Sequence, residues 1–265
     1  MTATTRLPGD AHPGDDEIFF DTWLQSAAGC AFLAEAHWER ITRSWAFFDL
    51  PGRPDRAGIE REVTARARCC QGPPWRVRVG FAAGGGRPDW ALRVESISPE
   101  EVCPRRPWRV ARVEVATISD PPTCAHKTLR NRHWADALAL ARRQGLDDAL
   151  LAVPGGRLAE FSRGNLFILE GRRLVTPPVE TPLLPGVMRQ ALLDWPDMES
   201  RSEPIDWPRL LAADGVLMTN SVRLLVPVGE IVATGRVHPL RVSARLTGMQ
   251  AHWRRHAMAP GQSLP

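Results

Sequence analysis

Residues 75–94 set the first limit on what this chain can fold into. Trp75, Val77, Val79 and Phe81 alternate with Arg76, Arg78 and Gly80; Gly84, Gly85 and Gly86 follow, and Trp90-Ala91-Leu92-Arg93-Val94 runs on. Strict period-two alternation gives a strand one buried and one open face, and the glycine break between two such runs reads as a hairpin. Strand-length segments also occur at 18–24, 108–115, 149–153, 157–160, 165–169, 173–176 and 215–219. Helical spacing of apolar residues predicts helices over 34–49, 131–144 and 187–195. The second has Trp134, Leu138 and Ala141 on one side and Gly145 as its stop, and the third opens after Pro185-Gly186. The segment 96–107 carries three prolines and little periodicity, which suits a linker. The expectation is an α+β chain in two unequal parts: a small N-terminal α/β domain over 1–100 and a large C-terminal domain over 101–265.

Composition removes several function classes. At 265 residues and 43% apolar, the chain has ample material for a buried core. It has no apolar run of about 18 residues, and residues 1–16 are polar and rich in Pro and Gly, so neither a membrane anchor nor a signal peptide is expected. Five cysteines, with Cys69 and Cys70 adjacent and no C-x-x-C pair, form neither a disulfide framework nor a zinc pattern, which fits a reducing cytoplasm. The net charge of +4 is spread among 30 acidic residues without a long basic run, so small anionic molecules suit it better than nucleic acid. The glycines at 84–86 lack a following Lys-Ser/Thr and helix, so a phosphate loop is not expected there.

Of 34 basic residues, 33 are arginine and one is Lys127. Arginine serves solubility, ion pairing and phosphate contact, but it does not lose its proton to become an amine nucleophile or base. A single position that keeps lysine is therefore a candidate for Schiff-base chemistry. The competing reading is a GC-biased genome in which one lysine codon survived by chance. Three features downstream favour chemistry. Glu160 ends a strand, and a carboxylate there could keep a pyridine nitrogen protonated. Gly186 precedes a helix in Leu184-Pro185-Gly186-Val187-Met188-Arg189, where backbone N–H groups could hold a phosphate. Met218-Thr219-Asn220-Ser221 could complete that phosphate cup with a hydroxyl and further N–H groups. Taken singly, these are better read as a solvated strand end, a helix entry and a turn.

Together, in this order and spacing, they resemble the fold-type IV pyridoxal phosphate enzymes, the class IV aminotransferases, over roughly residues 18–235. Phe20-Asp21-Thr22 looks like the family's F-E-T strand. His37-Trp38-Glu39-Arg40-Ile41 with Ser44 resembles H-x-x-R-L-x-x-S, whose arginine binds the cofactor phosphate. Lys127-Thr128-Leu129 looks like the Schiff-base segment. Glu160 with Gly164-Asn165-Leu166-Phe167 resembles E-G-x-x-x-N-x-F. Thr176-Pro177 and Gly186-Val187-Met188-Arg189 resemble T-P followed by L-x-G-I-T/M-R. The resemblance implies a two-domain enzyme of the D-amino acid aminotransferase-like fold with pyridoxal 5'-phosphate between the domains, the large C-terminal domain holding the cofactor, and a homodimer. The implied cofactor contacts are Arg40, Lys127, Glu160, Val187, Met188 and Ser221.

Within the family, Gly186-Val187-Met188-Arg189-Gln190 and Thr219-Asn220-Ser221 followed by Val226-Pro227-Val228 are similar to the lyases that split 4-amino-4-deoxychorismate into pyruvate and 4-aminobenzoate, a step in folate biosynthesis. Thr22 matches a lyase threonine implicated in proton delivery, so Lys127 and Thr22 are the implied catalytic pair. The substrate carries two carboxylates, for which Arg132, Arg163 and Arg223 are the candidates. The alternatives are an aminotransferase acting on a branched-chain or D-amino acid, and a protein of this fold without turnover. The chain departs from the pattern in three places. The usual N-terminal strand with an Asn-Gly turn is missing or rewritten in the first 17 residues. Phe161 replaces the glycine after the carboxylate. The family's cofactor-side tyrosine has no counterpart, Arg132 lying about where it would fall.

Overall fold

The computed structural model describes residues 17–27, 29, 31–84, 87–115, 121–130 and 132–258. The readings made on the polar first 16 residues and on Gly85, Gly86 and Asn131 lie outside them. Two compact units emerge, and they are not simple halves of the chain. One comprises the chain up to Glu101 together with His126–Arg130 and the end of the C-terminal helix; the other comprises Val102–Ala125 and Asn131–Arg255.

The first unit is a three-stranded antiparallel sheet, β1 (Glu17–Gln25), β2 (Trp75–Gly84) and β3 (Arg87–Ser96), in that order, with helices α1 (Ala34–Phe47) and α2 (Arg56–Cys69). The expected hairpin is present, with Val77 facing Val94 and Val79 facing Leu92. Alternation along β1 buries Phe19, Asp21 and Trp23 and leaves Ile18, Phe20 and Thr22 half-buried. Phe81 lies stacked on Phe19 at 4.8 Å and edge-on to Trp45 at 5.7 Å, so the sheet and α1 share one core. Helix α1 buries two adjacent stripes at helical spacing. Trp38, Ile41 and Trp45 enter the apolar core, while His37, Arg40 and Ser44 form a polar stripe beside it.

The linker expected over 96–107 is partly packed: Pro99–Val102 forms the short helix α3, and Ile97 and Val102 are buried. Two buried apolar side chains five positions apart, set among prolines, make no period that the sequence reveals.

The second unit contains β4 (Trp108–Glu114), α4 (Pro121–Cys124), α5 (Arg132–Arg143), β5 (Asp148–Ala152), β6 (Leu158–Phe161), β7 (Gly164–Glu170), β8 (Arg173–Thr176), α6 (Val187–Leu193), β9 (Glu199–Ser202), α7 (Trp207–Ala212), β10 (Gly215–Asn220), β11 (Leu224–Ala233), β12 (Arg236–Pro239) and α8 (Ala244–Met258). Strands β4, β5, β6, β7, β10 and β11 pair in a closed circuit, a barrel without free edges; β8 and β9 extend it from β7, and β12 from β11. The pairs β11–β4 and β4–β5 are parallel, and the others in the circuit are antiparallel. Val110, Leu150, Leu158, Leu166, Ile168, Val216, Met218, Val226 and Val228 form one core, and α5 packs Ala137 and Ala141 against Ala111, Ala149 and Leu151 on the other face of β4 and β5. Among the described residues no helix is long and apolar enough to cross a membrane.

Candidate active site

In the first unit the polar stripe of α1 meets β1 and the lysine segment. The main-chain N–H of Phe20 donates to the carbonyl of Lys127 at 2.8 Å, which ties the lysine segment to β1. The Lys127 Nζ lies 5.0 Å from the centre of the Phe20 ring, and the Arg78 guanidinium lies 4.1 Å from the same ring. Phe20 and Thr22, two apart on a strand, share one face. The Thr22 side chain is therefore on the lysine's side of β1. His126 is anchored by Ser44 Oγ at 2.9 Å and by stacking on Phe47 at 4.0 Å. Burial and the nearby Arg43 charge keep the His126 ring below its ordinary pKa.

Beneath this face Asp21 is 1% exposed. Its carboxylate accepts from Arg40 Nε at 2.9 Å, Arg40 Nη2 at 2.7 Å and His37 Nδ1 at 2.8 Å. Burial alone would raise the Asp21 pKa, but the Arg40 and His37 contacts outweigh it and hold the carboxyl well below the usual range. Burial pushes His37 down, against the pull of Asp21, so the ring is neutral with Nδ1–H donating. Its Nε2 is buried with no hydrogen-bond partner among the described residues. Arg40 is thus fixed in place by Asp21.

In the second unit a polar row crosses three neighbouring strands: Glu160 on β6 faces Asn165 on β7, which faces Thr219 on β10. All three are at most 4% exposed, so Glu160 is not a solvated strand end. Asn165 Nδ2 donates to Glu160 Oε2 at 3.0 Å and to the Leu184 carbonyl at 2.7 Å, while the Leu184 N–H donates to Glu160 Oε1 at 3.1 Å. Gly164 permits this arrangement, because a Cβ there would collide with the Thr219 carbonyl and the Met218 sulfur. Gly186 caps α6 without a side chain, so the first N–H groups, those of Val187 and Met188, have no partner within the helix. Thr219 Oγ1 donates to the Leu224 carbonyl at 2.7 Å. Asn220 Oδ1 accepts from the N–H groups of Val222 (3.0 Å) and Arg223 (2.7 Å), closing the turn that presents Ser221.

Arg189 is buried on α6, donating to the Pro177 carbonyl and Ser202 Oγ, with Nε lacking a partner among the described residues. Burial lowers its pKa while Glu160 and Glu180 hold it up. The three arginines expected to meet a substrate have different surroundings. Arg163 is tied to the Asp148 carboxylate (3.1 Å) and the Asp147 carbonyl (2.6 Å). Both Arg163 and Arg223 lie over the Trp108 ring, at 5.2 and 5.6 Å. Arg132 is exposed at the start of α5.

The family model for class IV amino-transferases matches residues 19–231. The chain belongs to the class IV aminotransferases. It is similar to the aminodeoxychorismate lyase of Bacillus subtilis, 24% identical over 77% of this chain and 74% of that one. It is 32% identical to a chloroplastic branched-chain amino acid aminotransferase of Humulus lupulus, over 39% of this chain and only 26% of that protein. Its fold matches that of a hypothetical aminotransferase from Mycobacterium tuberculosis, solved with α-ketoglutarate and PMP, with a TM-score of 0.82 and 22% identity over 97% and 95% of the two chains. The architecture is therefore fold-type IV, and the cofactor of this family is pyridoxal 5'-phosphate.

The residues present fit that group. Each unit by itself holds groups that suit it: in the second, a buried carboxylate with its hydrogen-bond donors fixed and the first N–H groups of the helix after Gly186; in the first, the chain's single lysine.

Proposed function

We propose that this class IV aminotransferase-family protein is a 4-amino-4-deoxychorismate lyase, releasing pyruvate from its substrate and leaving 4-aminobenzoate. Lys127 would attach pyridoxal phosphate through Nζ; Glu160 would meet its pyridine nitrogen; Arg40, Val187, Met188 and Ser221 would hold its phosphate. When bound, the cofactor supplies an electron sink conjugated with the carbon that bears the substrate's amino group. Lys127 Nζ would be the base that takes the proton from that carbon, a task no arginine can perform. The Glu160 carboxyl is held in place by donors from Asn165 and Leu184, which suits a contact with a protonated ring nitrogen. Thr22 donates a proton to the ether oxygen as pyruvate leaves.

The observation that carries the lyase reading is the position of Thr22: its side chain shares the face of β1 over which the Lys127 amine lies, by way of Phe20. Transamination has no leaving group to be protonated and gives no task to a hydroxyl there. For the substrate's two carboxylates, Arg132, Arg163 and Arg223 are the candidates. The active form is proposed to be a homodimer in the cytoplasm. A second reading, a branched-chain aminotransferase, draws support from partial matches of about 30% identity, of which the Humulus lupulus protein is one. Incubation with 4-amino-4-deoxychorismate and no keto acid separates the two. The lyase yields pyruvate and 4-aminobenzoate in equal amounts over many turnovers. Product formation that depends on an added 2-oxo acid would select the aminotransferase instead.

A further inference from the structure

Asn165 stands out because one buried amide serves two places that the proposed function uses separately. It donates to Glu160 on one side and to the Leu184 carbonyl on the other. Its Oδ1 fills the space under Gly186, where a Cβ would collide with it. The loop from Leu184 to Gly186 then opens α6 at Val187 and Met188. The carboxylate proposed for the ring nitrogen and the N–H groups proposed for the phosphate are thus referenced to the same side chain. Leu184 closes the loop by donating its own N–H to Glu160, so the carboxylate, the amide and the loop form one hydrogen-bonded ring.

We infer that Asn165 is a positioning residue for the cofactor: it fixes the spacing between the ring-nitrogen contact and the phosphate contact, and its amide N–H holds the Glu160 carboxyl in place. The inference rests on the reading of Glu160, Val187 and Met188 given above. The charged groups around it are Glu160 itself and Arg189, whose own surroundings include Glu180. Asp in place of Asn keeps the shape but replaces a donor with a carboxylate facing a carboxylate. Two such groups share a proton, and the shared proton restores a donor only as the pH falls.

The test is uptake of pyridoxal phosphate by the apo-protein, followed by fluorescence and by the visible band of the bound cofactor, from pH 8 to pH 5.5. Asn165→Asp should bind roughly ten- to hundredfold more weakly than wild type at pH 8, as expected for a lost hydrogen bond to a charged group. The deficit should close substantially toward pH 5.5, with the band moving back toward the wild-type position. Were Asn165→Asp to remain unfolded, Gly186→Ala carries the test, since its backbone (φ −73°, ψ 141°) suits alanine and only the collision with Asn165 opposes it. That variant should bind more weakly and shift the band. Adding Asn165→Ser, which removes the colliding oxygen, should restore part of the affinity. Wild-type uptake combined with unchanged affinity in these variants, or with a deficit constant across pH, overturns the inference alone. Failure of the wild-type protein to take up pyridoxal phosphate at all overturns the reading on which it rests, and the inference with it.

Discussion

Asp21→Asn should weaken the fold far more than its size suggests. The substitution conserves shape, but it removes the negative charge that neutralises Arg40, itself only 5% exposed, and turns one accepting oxygen into an NH2 group facing donors. Removing one partner of a buried pair leaves an uncompensated charge and costs about 3–5 kcal/mol. For a chain of this size, each kcal/mol lowers the melting temperature by about 2–4 °C, so the midpoint should fall by roughly 6–20 °C. Urea unfolding followed by circular dichroism gives the same quantity without relying on reversible melting. The double variant Asp21→Asn/Arg40→Met removes both charges and should recover much of the loss. The reasoning would be refuted by an Asp21→Asn protein within about 2 °C of wild type, or by a double variant as unstable as the sum of the two singles. Either result would mean that water reaches Arg40 and that the cluster is not dry.

Three further outcomes are expected. Acidification from about pH 6.5 downward should lower the urea midpoint. His37 and Asp21 both have folded pKa values below their unfolded ones (about 6.5 and 3.9), so their stabilisation is present above those values and lost as pH falls through the folded ones; a midpoint that rises on acidification would contradict this. Glu160→Gln should retain the cofactor yet slow proton abstraction by about a hundredfold, the scale of one electrostatic group in an active site, measured as exchange of the substrate's proton into deuterated solvent. Thr22→Val should cut pyruvate release by about a hundredfold while leaving that exchange nearly unchanged; an equal fall in both would make Thr22 a strand residue only.

Much of the scaffold was legible because alternation and helical spacing are local signals. The hairpin of β2 and β3, the strands from β4 to β8 and the helices α1, α5 and α6 all follow from them. What escaped was non-local or locally contradictory. Pro227 argues against a strand, yet it lies in β11; pairing with β4 begins only at Val228, so the proline sits where one neighbouring strand suffices. Helix α2 buries only Ile59, Val63 and Ala67, a stripe too narrow to register among its charges.

The lysine, the carboxylate, the glycine before α6 and the Thr-Asn-Ser turn were readable as motif residues, but their partners were not. Asp21 was the exception that sequence could have yielded. Period-two alternation puts it on the buried face between Phe19 and Trp23, and a buried carboxylate requires a cation. That the cation is Arg40, 19 positions away, and that the Lys127 carbonyl bonds to β1, depend on packing that no local pattern encodes.

The central claim is that the one lysine of this chain carries the cofactor, and it can be read from a single peptide. The protein is saturated with pyridoxal phosphate, reduced with borohydride, digested and analysed by mass spectrometry. A phosphopyridoxyl mass on the peptide that contains Lys127, absent from Lys127→Arg treated in the same way, is the predicted result. An unmodified Lys127 peptide from protein that had bound the cofactor, or a label that survives Lys127→Arg, would contradict the account.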